Sequence, residues 1–457
     1  MSRRFLRLLR QPGGFTAAAS PAPGAIPLDN IEYNRRYEGR PPHACVIAGD
    51  EPTDLAALAP QAPPRSASLS TESRVIPHQP LFQSFFLGGF ECSTHRNMSR
   101  RRLDMIAATR HDLLAREDYA QLAEHGIRAA RDGVRWHLVE TSPGRYDWSA
   151  VLPLLRAAEA TRTQVIWDLC HYGWPDDLDV FSPAFVDRFA RYAAAFARLH
   201  REETGRAPFV CPVNEISFLA FAGGDMARCS PHETGRGMEL KRNLARAAIA
   251  GTRAVREAAP GARFAAVDPV INIVPREPAE AEEVARHNAS QWQAWDMLAG
   301  REEPELGGSE DILDVIGVNY YWNNQWLHHA EPLSVFDSAR FRPFRDLLAD
   351  TARRYAPRDI FVAETSIEGA PRAPWLRYVA EETMAARQAG LPVHGVCLYP
   401  VISHMGWDED RYCPNGLFEL TPRHGRRDVH RPLAEELARL QASFRAQGVE
   451  GPLSAVG

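Results

Sequence analysis

The sequence predicts an α/β protein of the (β/α)8, or TIM-barrel, class, and three observations carry that prediction. Eight short apolar runs recur between residues 82 and 400, helical patterns lie between them, and polar residues gather where the runs end. Runs this uniformly apolar belong to strands buried on both faces, as in a parallel sheet covered by helices.

In chain order, "FFLGGFE" ends at Glu91, ahead of a loop carrying His95 and Arg96. "DGVRW" brings Arg135 and His137 to its tip, and "QVIWDLC" brings Asp168 and His171. "FVCPVNE" closes on Asn214 and Glu215, and "RFAAVD" on Asp268. "LDVIGVNY" leads into Asn319, Tyr320 and Tyr321, "IFVAE" ends on Glu364, and "HGVCLYP" reaches Tyr399. Residues 116–126, 183–205, 241–259, 278–300, 341–356 and 375–390 repeat their apolar positions at three and four, the spacing of an amphipathic helix. Several of these stretches close on glycine, a common helix C-cap. A doubly wound sheet would place GxGxxG after its first strand, which "LGGFECS" does not supply, and neither a P-loop nor a GxSxG elbow occurs.

Residues 1–78 have another texture. "QPGGFTAAASPAPGAIP" and "QAPPRSASLSTES" are rich in Pro, Ala, Ser and Gly, the composition of an extension of low order, so the barrel is expected over 79–449. The chain has 457 residues, 45% of them hydrophobic, and a net charge of −5, which gives no basic field for nucleic acid. No apolar stretch is long enough for a membrane span, and the opening "MSRRFLRLLR" is too interrupted by arginine for a signal peptide. Seven scattered cysteines read as reduced thiols, which favours a cytoplasmic location. His95, His137 and His171 lack the spacing of metal ligands, and no metal or other cofactor is expected.

Chemistry concentrates at the tips. Two apolar strands that each end on glutamate, Glu215 and Glu364, would face each other across a barrel mouth. At about 5–5.5 Å, one carboxylate can attack an anomeric carbon while the other protonates the leaving oxygen. Arg135 and a tyrosine of "NYY" would hold Glu364 ionised, and Asn214 would meet a sugar 2-hydroxyl. Trp136, Trp174, Trp322, Trp326 and Trp407 suit stacking on sugar rings.

From residue 82 to about 420 the chain resembles the family 1 glycoside hydrolases, β-glucosidase-like retaining enzymes on (β/α)8 barrels. "FVCPVNEI" is similar to that family's acid/base segment and "IFVAETSIEG" to its nucleophile segment. "VIWDLCHYGWP" resembles "LYHWDLP", with His171 and Pro175 in register, and "GVRW", "DVIGVNYY" and "YPVISHMGW…NGLFEL" resemble further strand segments. The resemblance implies Glu215 as acid/base, Glu364 as nucleophile, and Arg135 and Tyr321 as orienting groups. It also implies that Asn214 and His171 bind the glycone, with Asn319 supporting the acid/base and Tyr399 and Trp407 at the substrate. The departures are specific. Ile216 replaces a proline, Thr365-Ser366 replaces Asn-Gly, Arg96 falls on or near a glycone-binding glutamine, and Gly406 stands where a glycone-binding glutamate precedes Trp407. The expected substrate is therefore a small glycoside other than the ordinary neutral glucoside. Arg96, Arg100, Arg101 and Arg102 raise the idea of an anionic sugar or aglycone, against the simpler reading of a solvated charge run. A transglycosidase and a non-catalytic sugar-binding or scaffold barrel are the alternatives.

Overall fold

The computed structural model describes residues 80–335, 340–423 and 425–449. The expected extension, residues 1–78, lies outside the described residues. Eight parallel strands close into a barrel: β1 (Phe86–Gly89), β2 (Ala129–Gly133), β3 (Gln164–Asp168), β4 (Phe209–Cys211), β5 (Arg263–Pro269), β6 (Val315–Asn319), β7 (Asp359–Thr365) and β8 (Val393–Leu398). Each pairs with its neighbours in the chain, and β1 closes the ring on β8 with Leu87 opposite Cys397. The barrel is a (β/α)8, or TIM, barrel.

The principal covering helices are α1 (His111–Glu124), α2 (Leu152–Thr161), α3 (Pro183–Thr204), α4 (Gly237–Ala258), α5 (Gln293–Leu298), α6 (Phe344–Tyr355), α7 (Arg372–Gln388) and α8 (Arg431–Ala446). Among the described residues no helix is long and apolar enough to cross a membrane.

Alternation along the strands builds two cores. Phe86, Ala130, Trp167, Val210, Phe264, Ile316 and Val362 face the helices, where they join one large apolar layer. Leu87, Ala129, Ile166, Cys211, Ala265, Val315 and Phe361 fill the barrel, and Phe82 packs edge-on to Phe361 at 5.1 Å.

Strand β2 is where the sequence reading fails. The second strand was expected within "DGVRW", but it is Ala129-Ala130-Arg131-Asp132-Gly133, three residues earlier at its start and ending two residues before Arg135. Every one of these residues is buried, yet the strand has no apolar run to reveal it. Two polar networks replace that signal. Arg131 points inward. Asp132, on the outer face, accepts from the Tyr119 hydroxyl at 2.5 Å and lies 3.0 Å from His111 Nε2. His111 Nδ1 contacts Asp118 at 2.8 Å, and Arg427 completes the chain on Asp118 at 2.6 Å.

Burial alone would neutralise His111. Asp132 and Asp118 outweigh it and push the imidazole up to about 9. A histidine whose pKa rises from about 6.5 on folding stabilises the fold fully below pH 6.5 and loses that contribution as pH climbs through about 9. Urea unfolding at pH 6.5 and pH 9.5 should therefore show a stability loss on the order of 3 kcal/mol. His111→Gln, which has no proton to lose, should start less stable and vary less over that window.

Candidate functional site

Arg131 organises the inner end of the site. Its side chain is fully buried in the barrel, and it makes four polar contacts. Nη1 donates to Glu364 Oε1 at 2.9 Å and to the Ala363 carbonyl at 2.9 Å; Nη2 donates to Asp168 Oδ2 at 2.6 Å and to Asn214 Oδ1 at 3.0 Å. One guanidinium thus ties the tips of β3, β4 and β7 to the middle of β2.

Glu364 reaches this position through an irregularity. Ala363 faces the barrel interior, so strict alternation would turn Glu364 toward the helices. The pairing of β7 with β6 shifts register between Val362 and Glu364, and a second shift toward β8 falls between Val362 and Thr365. A bulge of this kind re-aims the side chain beyond it. Tyr321, in the loop after β6, donates its hydroxyl to Glu364 Oε2 at 2.8 Å. Both carboxylate oxygens of Glu364 are therefore bonded to donors.

Glu215 sits differently. Its own backbone is left-handed, with φ of 47°, at the N-terminus of the turn Ile216–Leu219. That conformation costs a non-glycine residue on the order of 1 kcal/mol or more. Asn319, at the end of β6, donates to Oε1 at 2.8 Å, and the Tyr172 hydroxyl makes a very short bond to Oε2. Burial, reinforced by the charge on Glu364, pushes the Glu215 carboxyl up to about 8 despite those two bonds. Asp268, at the end of β5, accepts from the backbone and hydroxyl of Ser217, at 3.1 and 2.6 Å, and so anchors the turn.

Tyr172 is also left-handed, with φ of 67°. Besides meeting Glu215, its hydroxyl accepts from Asn214 Nδ2 at 3.1 Å. Sequence reasoning missed it because it follows His171 with nothing in its spacing to set it apart, where the resembling segment has tryptophan.

His171 is buried, with Nδ1 at 2.9 Å from Asp168 Oδ2 and its ring stacked on Tyr399 at 5.7 Å. The Tyr399 hydroxyl lies 3.4 Å from His171 Nε2 and 3.6 Å from Cys92 Sγ. Trp407 is half-buried over these groups, packed edge-on to His95 at 4.5 Å and to Tyr172 at 5.6 Å. Asn97 holds the Trp407 carbonyl at 2.8 Å. The His95 ring is buried and Nδ1 has no hydrogen-bond partner; that burial, helped by neighbouring positive groups, lowers its pKa to about 3.

Three expectations need correction. Arg135 does not touch Glu364: it lies beyond β2 and pairs with Asp104 and Asp112, at 3.0 and 3.4 Å. Arg131 occupies the contact assigned to it, and the signal for it was the pair of small residues before Arg-Asp. Arg96 is held bidentately by Asp176 at 3.0 and 2.6 Å, an aspartate it shares with Arg102, while Arg101 pairs with Asp410 at 3.1 Å. Arg96, Arg101 and Arg102 are thus ion-paired at the rim. Trp136 belongs to the apolar layer under the helices, stacked on Tyr192 at 5.1 Å with its ring N–H on Glu140, because the turn after β2 folds it outward.

No protein-family model matches the chain, and no curated protein sequence does. Solved structures do match. The family 1 β-glucosidase of Thermotoga maritima superposes with a TM-score of 0.63 over 79% of this chain and 98% of its own, at 14% identity. The fold is similar to that of a family 1 β-glucosidase. Structures of the Thermotoga maritima β-glucosidase in complex with glucoimidazole and with castanospermine both give 0.62, at 15% and 14% identity, covering 80% and 79% of this chain and 97% of theirs. At these identities the likeness is one of fold.

The Arg131 network sets a testable energy scale. Removing one partner of a fully buried ion pair leaves the other charge uncompensated, at a cost of about 3–5 kcal/mol. Arg131→Met should lower the unfolding free energy in urea by that amount. Adding Asp168→Asn should cost less than the two separate losses combined, with a coupling of about 0.5–3 kcal/mol.

Proposed function

We propose that the protein is a retaining β-glycoside hydrolase working by double displacement through a covalent glycosyl-enzyme, with Glu364 as nucleophile and Glu215 as acid/base. The carrying observation is the difference between the two carboxylates. Glu364 accepts from a guanidinium and a phenol, a setting suited to an anion. Glu215 is pushed up to about 8, so that near pH 7 it holds a proton to give. Two carboxylates whose environments separate their tasks are what the reaction needs.

In the first step a Glu364 oxygen attacks the anomeric carbon as the bond to the aglycone oxygen breaks, and Glu215 delivers its proton to that oxygen. In the second step Glu215, now a base, takes a proton from water as the water oxygen attacks the same carbon and Glu364 leaves. Asn214 is fixed through both ends, Oδ1 by Arg131 and Nδ2 toward Tyr172, in position for a sugar hydroxyl next to the anomeric centre. His171 and Tyr399 form a polar wall for the glycone, and Trp407 an apolar cover. The glycone side differs from the resembling family at Arg96 and Gly406. Arg96 is committed to Asp176, which supports a glycone contact set other than the one that serves an ordinary neutral glucoside.

A panel of activated 2-deoxy-2-fluoro β-glycosides tests the reading directly. One member should trap the enzyme, with the added mass on the peptide containing Glu364. Product NMR on the corresponding substrate should show retained configuration. A label on any other residue, or an inverted product, overturns the assignment. Glu364→Ala should lower kcat by several orders of magnitude, and an unchanged rate would mean that the barrel does not use this pair.

The pH dependence has a definite sign. Because Glu215 must be protonated in the first step, kcat/KM should fall as pH rises through about 8. The Tyr172 bond opposes the upward shift of Glu215. Tyr172→Phe should therefore move that basic limb to higher pH, measured on the same substrate.

A further inference from the structure

A second set of ligating side chains lies outside the carboxylate site, in the loops that follow β5 and β6. The β5 loop contains the strand Asn272–Val274 and the helix Ala281–Ala289. The β6 loop contains Gln325–Leu327, which pairs in parallel with that strand, Leu327 opposite Val274. His328 and His329 come next, and the His328 backbone N–H donates to the Val274 carbonyl at 2.9 Å.

His328 is 2% exposed, and neither of its ring nitrogens makes a hydrogen bond. Nδ1 lies 3.5 Å from Glu280 Oε2 and Nε2 lies 3.9 Å from Glu283 Oε1. A buried imidazole with no hydrogen bond at either nitrogen is unfavourable and calls for an explanation. His329 adopts a left-handed backbone, φ 54°, which brings its ring within 3.8 Å of the His328 ring, centre to centre. Donor atoms of Glu283, His328 and His329 all lie within 4.8 Å of one another.

We propose that Glu283, His328 and His329 form a binding site for a divalent cation of the Zn²⁺ type. Two imidazoles and one carboxylate are a donor set that Zn²⁺ takes at about 2.0–2.2 Å. Donors around a tetrahedral ion stand about 3.4 Å apart at those bond lengths. The 3.9 Å between His328 Nε2 and Glu283 Oε1 is too long for a hydrogen bond and close to the span across an ion. Glu283 has a half-exposed side chain that can close the remaining distance, and a water can take the fourth position. Glu280 faces the other nitrogen of His328, as an outer carboxylate that fixes a ligand's tautomer does. It is itself held by the Arg276 backbone N–H at 2.9 Å.

Such an ion would clamp the helix of the β5 loop to the β6 loop, and the β6 loop opens with Tyr321, the donor to Glu364. The other convergent set, Cys92, Asp168 and His171, is a poorer candidate because Asp168 Oδ2 already serves Arg131 and His171.

The test is titration of the chelator-stripped full-length protein with Co²⁺ alone, followed by its visible d–d absorption, with Zn²⁺ as competitor. One equivalent should bind and be displaced by Zn²⁺. Glu283→Gln and His329→Gln, at partly exposed positions, should abolish stoichiometric binding with an unchanged far-UV CD spectrum, and Cys92→Ser should retain it. Glu280→Gln should weaken affinity about 10–100-fold. The proposal is overturned by absence of stoichiometric binding, by binding that survives both Glu283→Gln and His329→Gln, or by binding lost in Cys92→Ser.

Discussion

A guanidinium enclosed in a barrel has to be answered by acceptors on the sides it faces, and Arg131 imposes that requirement on three other strands. Its two outer nitrogens are shared among Asp168, Asn214, Glu364 and the Ala363 carbonyl. Asp168 in turn orients His171, and His171 stacks on Tyr399. The polar floor of the site is thus one connected unit, in which moving any member leaves a buried charge or dipole unpaired. The carboxylate of Glu364 is held in place by the same contact that neutralises the arginine.

Local strain complements this rigidity. Glu215 and Tyr172 both hold left-handed backbones, and their side chains hydrogen-bond to each other. Neither conformation would persist on an isolated turn. Asp268 fixes the Glu215 turn through Ser217, and close packing holds the other: a Cβ on Gly173 would lie 1.9 Å from Thr94 Oγ1. Gly89 makes a similar close approach, where an added Cβ would fall 2.1 Å from the Tyr399 ring. The site's polar geometry therefore rests on small residues that let the barrel strands and their loops crowd together.

Most of the barrel was legible because seven strands have apolar runs, and a run buried on both faces carries its own signature. Strand β2 carries none, since its burial is secured by Arg131 and Asp132 rather than by hydrophobic side chains. The error at Arg135 follows directly: the apolar "VRW" drew the strand forward and the wrong arginine with it. Glu215, Glu364, Asn214, Asn319 and Tyr321 could be assigned to strand tips because position alone puts such residues at the mouth. What position cannot give is the bulge that turns Glu364 inward, or the two left-handed residues, which depend on packing between distant segments. Trp136 shows the same limit, for a tryptophan just past a strand end is equally suited to a core or a cleft.

The Arg131 network also bears on how the chain is made. The partners on Ala363 and Glu364 lie 232 and 233 residues further along the sequence. During synthesis from the N-terminus, β2 leaves the ribosome long before β7 exists. Asp168 and Asn214 can cover one side of the cation early, but its other side waits for the seventh strand. The growing polypeptide therefore carries a half-paired arginine on an open sheet while the segment between Asn214 and Glu364 is being made. That interval exposes unpaired strand edges as well, the condition under which nascent α/β proteins depend on chaperones.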